Sequence, residues 1–145
     1  MKKILTILLL VISISAIGQL ERNKQLLLFD GLYETKCYFE KGDDEGNQDY
    51  LRFYPNGKVI SVGTDCEGTA SDIKGWFNLN AKQADIGDFK VNNRRIKFSV
   101  KGQTGTINYR GRIINSEFIK LKWKSLINGS RGRSIYKFVK VTNLS

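Results

Sequence analysis

The segments with the most chemical content lie in the second half of the chain, where basic residues alternate with apolar ones. The basic positions are Arg95, Lys97, Arg110, Arg112, Lys120, Lys122 and Lys124. Because successive side chains of a β-strand point to opposite faces, each segment predicts one basic face and one apolar face. If the strands are neighbours, these cations form a patch that attracts anionic partners. The alternative is a solvated outer face whose lysines protect the sheet edges.

The charge of the chain is divided unevenly along its length. Residues 19–93 carry 9 Lys or Arg and 13 Asp or Glu, a net charge of −4. Residues 94–145 carry 13 Lys or Arg and a single acid, Glu117, a net charge of +12. The sequence therefore predicts a near-neutral to acidic first half and a strongly basic second half.

The residues that usually carry catalysis are sparse. The chain has no histidine, which removes the commonest general base and most zinc sites. Asp43, Asp44, Glu45 and Asp49 form an acidic cluster, but without the ligand spacing of a calcium loop, so a solvated loop is the favoured interpretation. We expect a protein that is not an enzyme and that uses no cofactor or metal.

The first eighteen residues have the three-part pattern of a secretory leader. Lys2 and Lys3 precede an apolar run over residues 4–17, and Ala16 and Gly18 stand at the positions that signal peptidase reads. The run is shorter than the roughly 20 residues of a membrane-spanning helix, which counts against the alternative of an anchor. The pattern predicts a signal peptide at residues 1–18 and a secreted or periplasmic protein. In that compartment anionic lipid or acidic glycan is a better partner for the basic patch than nucleic acid.

The two cysteines, Cys37 and Cys66, predict one disulfide in an exported chain. Two unpaired thiols are the alternative. A catalytic or metal-binding pair is disfavoured, because the spacing is wide and no histidine can complete a site.

After a lead-in at residues 19–30, residues 31–145 have the short runs and frequent turn residues of an all-β domain. Asn56-Gly57 after Pro55 predicts a tight hairpin between residues 50–54 and 58–62. Other strands are predicted at 32–39, 76–79, 87–91, 94–100, 107–113, 119–124 and 134–141, the last closing onto the first. The pattern favours an antiparallel up-and-down barrel of about eight strands, since closure removes exposed edges.

Several short motifs resemble those of small lipocalin-like barrel domains. They are Gly31-x-Tyr33, the hairpin from Tyr50 to Val59, Trp76-Phe77, Gly87-x-Phe89, Ile96-x-Phe98 and Tyr136-x-Phe138. Such domains occur in exported proteins of Bacteroidetes and at the C-terminus of certain F-box proteins. The chain departs from typical lipocalins in having Tyr33 where their Gly-x-Trp signature has tryptophan. The resemblance implies the barrel fold and no specific ligand.

A barrel of eight strands can hold one small ligand. The sequence therefore suggests a first function, the binding of a small apolar or amphipathic molecule in a cavity. The candidate lining residues are Tyr33, Phe53, Trp76, Phe98, Tyr109 and Trp123. The alternative function is a cell-envelope interaction protein that binds anionic lipid, glycan or protein through the basic patch.

Overall fold

The computed structural model describes residues 26–144 and shows a closed barrel of eight antiparallel strands. Each strand pairs with the next one along the chain, and β1 pairs with β8, so the predicted up-and-down barrel is confirmed. The predicted leader and residues 19–25 of the lead-in lie outside the described residues. The strands are β1 (Gly31–Glu34), β2 (Gln48–Phe53), β3 (Lys58–Thr64), β4 (Asp85–Asn92), β5 (Arg95–Lys101), β6 (Thr106–Ile113), β7 (Phe118–Ser125) and β8 (Arg131–Lys140).

The β2–β3 hairpin forms where the turn residues predict it. The Tyr54 amide donates to the Lys58 carbonyl at 2.9 Å, and Gly57 adopts a φ of 85°, which glycine tolerates without strain. The Asn56 side chain accepts a hydrogen bond from the Lys58 amide at 3.1 Å. Local turn chemistry therefore sets the register of this pair.

The interior of the barrel is filled by side chains from all eight strands. Tyr33 and Phe53 meet edge to face with ring centroids 5.6 Å apart, and Phe98 stacks on Tyr109 at 4.7 Å. Leu27, from the segment before β1, joins this core. Aromatic pairs in these geometries add to the stabilisation that burial provides.

A second core lies outside the barrel wall, over β1, β2 and β3. Leu32, Tyr50 and Ile60 point outward from these strands and are buried by the β3–β4 connection, which contributes Ile73 and Phe77. The connection is needed because this part of the wall is apolar on both faces, and an uncovered apolar face in water is unfavourable.

The strand predicted at residues 76–79 is wrong. Lys74–Trp76 form a short 3-10 helix within the β3–β4 connection. The Phe77 carbonyl accepts hydrogen bonds from Arg52 Nη1 at 3.0 Å and from the Tyr54 hydroxyl at 2.7 Å, so this backbone is bound by side chains of β2 and of the turn after it. The conformation of this segment therefore follows from its packing on the outer face of the barrel wall.

A disulfide joins Cys37 to Cys66, as predicted. It connects the β1–β2 connection to the start of the β3–β4 connection, at the end of the barrel where β1 ends and β2 begins. We call this end the disulfide end. The Tyr38 and Asn47 backbones also pair across the β1–β2 connection, with 2.9 Å and 2.7 Å hydrogen bonds. The β1–β2 connection is thereby held by covalent and backbone bonds.

Candidate functional site

A row of basic residues crosses five neighbouring strands of the barrel. Lys90 of β4 lies opposite Lys97 of β5, which lies opposite Arg110 of β6; Lys122 of β7 and Arg133 of β8 continue the row. We call these residues the central row. All of them are exposed, because they alternate with residues that point into the barrel. Directly opposed side chains on neighbouring strands have Cβ atoms about 5 Å apart, so the cations are close neighbours.

Further basic residues flank the central row on both sides. Arg95, Arg112 and Lys120 lie opposite one another on β5, β6 and β7, and Lys124 lies opposite Arg131 on β7 and β8. We call the full set the basic belt. Its members are Lys90, Arg95, Lys97, Arg110, Arg112, Lys120, Lys122, Lys124, Arg131 and Arg133.

The seven basic residues singled out in the sequence all lie in this belt, on strands that are neighbours. Sequence reasoning missed Lys90, Arg131 and Arg133. Lys90 stands between Phe89 and Val91, an alternation that marks it as outward-facing. Arg131 and Arg133 were harder to recognise, because Gly132 takes the inward position between them and breaks the basic–apolar pattern.

Two adjoining grooves run along the belt. The first has a volume of about 590 Å³ and lies between the basic side chains of β4, β5, β6 and β7. The second, of about 670 Å³, lies over β6, β7 and β8 and includes Arg131 and Arg133. Arg110 and Lys122 line both grooves. Together the grooves form a track that follows the belt around the barrel.

Acidic side chains are largely kept away from the belt. In residues 26–144 the ion pairs are Lys58–Asp88, at 2.7 Å, and Lys140–Asp30, at 3.3 Å, and neither includes a belt residue. Asp88, one of the two acids of β4, therefore has its partner on β3. Neither of these ion pairs neutralises a belt residue, so the ten clustered cations produce a field that attracts anions.

The predicted cavity residues divide into three groups. Tyr33, Phe53, Phe98 and Tyr109 are buried inside the barrel, where they pack against each other and against aliphatic side chains. Trp123 is half-buried and contacts the same core, with its ring against Gly132. The placement of Trp76 inside the barrel is wrong: it is 54% exposed and lies in the β3–β4 connection, outside the wall.

The interior becomes polar toward the disulfide end. The Tyr109 and Ser61 hydroxyls are hydrogen-bonded at 3.3 Å, and the Tyr38 hydroxyl donates to Asp49 Oδ2 at 3.4 Å. Burial raises the pKa of Tyr109 to about 12 and raises the pKa of the Asp49 carboxyl above its usual value. Burial also raises the pKa of Tyr136 well above 10. Desolvation favours the neutral form of each of these groups, so no anion is stabilised here.

In the acidic cluster of the β1–β2 connection, the Asp43 side chain stabilises the turn in which it lies. Asp43 Oδ1 accepts hydrogen bonds from the Glu45 and Gly46 amides, both at 3.1 Å, and Asp43 Oδ2 accepts one from the Asn47 side chain at 2.5 Å. Side chains of this type often close turns in this way. Within residues 26–144, no group of three or more candidate ligands is placed to hold a metal ion.

No helix within residues 26–144 is both long and apolar enough to cross a membrane. Comparisons of the chain with protein-family models, with curated proteins and with solved structures found no match.

Proposed function

We propose that this protein is an exported, non-enzymatic barrel that binds a flexible, negatively charged polymer, an acidic glycan of the cell envelope, through the basic belt. The observation that carries the proposal is the unbroken central row over five of the eight strands. The lipocalin-like resemblance remains part of the proposal, supported by the strand order.

The curvature of the belt favours a polymer over a flat surface. Four of the eight inter-strand steps of the closed barrel separate Lys90 from Arg133, so the central row extends about half way around the circumference. Strands are spaced by about 4.8 Å, which makes the row roughly 19 Å long. A flat membrane can touch only part of a surface that turns this far, whereas a flexible chain can follow it.

The electrostatics of the row also favour an anionic partner. Like charges directly opposite each other destabilise a sheet, and the central row has this arrangement at every step from Lys90 to Arg133. A bound polyanion converts each repulsion into an attraction. The grooves supply walls along which a polymer gains contacts with the aliphatic stems of lysine and arginine.

The interior gives less support to the first function suggested by the sequence, binding of a small apolar or amphipathic ligand. Tyr33, Phe53 and Phe98 occupy the centre of the barrel and are almost fully buried against each other. A ligand there would have to displace side chains that already stabilise the fold.

The test uses a charge-reversed protein and a matched control. The first variant combines Lys97→Glu, Arg110→Glu and Lys122→Glu from the central row. The control combines Lys41→Glu, Lys74→Glu and Lys82→Glu, which change the net charge equally but lie outside the belt. The probe is polygalacturonate, with neutral dextran as the uncharged counterpart, and binding is measured by calorimetry over a series of salt concentrations. Circular dichroism establishes that both variants are folded.

We expect the wild-type protein and the control to bind polygalacturonate with an affinity that falls steeply with salt, and the central-row variant to lose binding. Equal loss in both triple variants would show that net charge alone acts, and would refute a role for the belt. Tighter binding to vesicles that contain phosphatidylglycerol would replace the polymer with a lipid surface. Equal affinity for single-stranded DNA would reject selectivity for a glycan.

A further inference from the structure

The barrel wall has a notch between β1 and β8. The β1–β8 ladder ends where Glu34 pairs with Lys137, but β8 begins at Arg131. Residues 131–136 therefore pair with β7 on one side, and on the other side they face no strand formed by residues 26–144. Beyond Glu34 the chain keeps its pairing with β2, since the Thr35 amide donates to the Asp49 carbonyl at 2.9 Å, whereas its pairing with β8 ends at Glu34.

The hydrogen-bond pattern shows which backbone groups point into the notch. The Val141 amide donates to the Asp30 carbonyl and the Phe138 amide to the Glu117 carbonyl, so odd-numbered residues of β8 face β1 and even-numbered residues face β7. The register is constant along both ladders. The N–H and C=O groups of Arg133 and Ile135 therefore point toward the open side, as in the edge strand of an open sheet.

A groove of about 590 Å³ lies along this edge. Its apolar lining comes from Phe118, Trp123 and Ile135, and Ile135 is 55% exposed. Its charged lining consists of Lys36, Arg133 and Lys137 against a single acid, Glu34. The groove thus combines an unpaired strand edge, an apolar contact and an excess of positive charge.

We propose that this notch binds an extended acidic peptide segment of a partner protein, which adds to β8 as an antiparallel strand. Main-chain bonds to Arg133 and Ile135 supply the affinity, as in other cases of strand addition. Outward side chains of the added strand lie beside Ile135, Arg133 and Arg131, so the segment presents one apolar residue followed by acids at alternate positions. The site differs from the polymer track of the proposed function, although Trp123, Gly132 and Arg133 line both grooves.

The test reads individual amides by hydrogen exchange followed by NMR. The probe is the capped peptide Thr-Val-Thr-Glu-Thr-Glu-Thr, and its counterpart has lysine in place of glutamate. In the protein alone, we expect the Arg133 and Ile135 amides to exchange faster than those of Ser134 and Tyr136, which bond to β7. A saturating amount of the glutamate peptide should slow Arg133 and Ile135 roughly tenfold and leave the other two unchanged.

Two variants separate backbone pairing from other contacts. Ile135→Pro removes the N–H that faces the notch and should abolish peptide binding, while Ile135→Thr keeps the N–H and should retain it. If Ile135→Pro does not fold, the exchange pattern of the wild-type protein still decides. The polygalacturonate assay is run in parallel, so failure of one site is distinguishable from failure of the other.

Four results would overturn the proposal. The first is equal protection of Arg133 and Ser134 in the monomeric protein, which would mean that the notch is closed. The second is no change on adding the glutamate peptide. The third is equal binding of the lysine peptide, which would remove the charge argument. The fourth is a dimer in sedimentation with Arg133 and Ile135 protected, which would make a second copy of the chain the occupant.

Discussion

Replacing Arg110 by glutamine should make the protein more stable and a weaker binder of polyanions. Arg110 lies at the centre of the central row, between Lys97 and Lys122. Two unit charges held roughly 7 Å apart in water repel each other by about 0.6 kcal/mol. Removing the Arg110 charge removes two such repulsions, so it raises the free energy of unfolding by about 1.2 kcal/mol at very low salt. At physiological salt, where the Debye length is about 8 Å, the gain falls to about 0.5 kcal/mol.

Urea unfolding followed by tryptophan fluorescence measures this gain at low, physiological and 1 M salt (about 3 Å Debye length). Lys82→Gln is the matched control, because Lys82 is exposed in the β3–β4 connection, away from the belt, and should change stability little at any salt concentration. The same Arg110→Gln protein should bind polygalacturonate more weakly, with a shallower salt dependence. A gain that persists at 1 M salt, or that Lys82→Gln reproduces, would refute the reasoning from repulsion. A loss of stability would show that Arg110 makes favourable contacts in the folded protein that outweigh its repulsion by Lys97 and Lys122.

Three further changes test the fold. Replacing Cys37 and Cys66 by serine opens a loop with a sequence separation of 29 and should lower the unfolding free energy by roughly 3.5 kcal/mol. A loss below about 1 kcal/mol in urea titration would contradict this entropic account and show that the unfolded chain without the disulfide keeps structure in this segment. Asp49→Asn should stabilise the protein at pH 7, because burial raises the pKa of this carboxyl and so makes its charged form unfavourable. The advantage should shrink as the pH falls through the raised folded-state pKa, since Asp49 is then protonated; thermal unfolding across pH measures it, and a pH-independent difference would contradict it. Gly111→Ala places a Cβ 1.9 Å from the Lys120 carbonyl oxygen and should cost about 1–3 kcal/mol, whereas Gly75→Ala, with open space around it, should be neutral in the same assay; equal stability of the two would show that β6 and β7 separate easily.

Local patterns in the sequence were sufficient where neighbouring residues decide the structure. The turn at Asn56-Gly57 predicts the β2–β3 hairpin because positive φ angles are cheap only for a few residue types. The alternation around Lys97 and Lys122 predicts outward basic faces because the period of a strand is two. The disulfide was predictable because the chain has only two cysteines and an N-terminal pattern that predicts export to an oxidising compartment.

The errors arose where distant residues decide. Trp76-Phe77 has the composition of a strand, yet its conformation follows from the apolar outer wall of β1–β3, which it covers. The periodicity of a short segment does not show that it will bury the apolar outer face of strands elsewhere in the chain. The wrong placement of Trp76 follows from the wrong strand, because a residue of the connection outside the wall cannot line the interior.

The sequence by itself determined the class of the fold, the faces of the later strands and the position of the basic residues on those faces. Only the tertiary structure decided that the basic faces join into a belt half way around a closed barrel, because neighbour relations between strands depend on closure and register. Closure also left the notch beside β8, since β1 is four residues long and β8 is ten. That mismatch between two strands at opposite ends of the barrel domain exists only once they are paired.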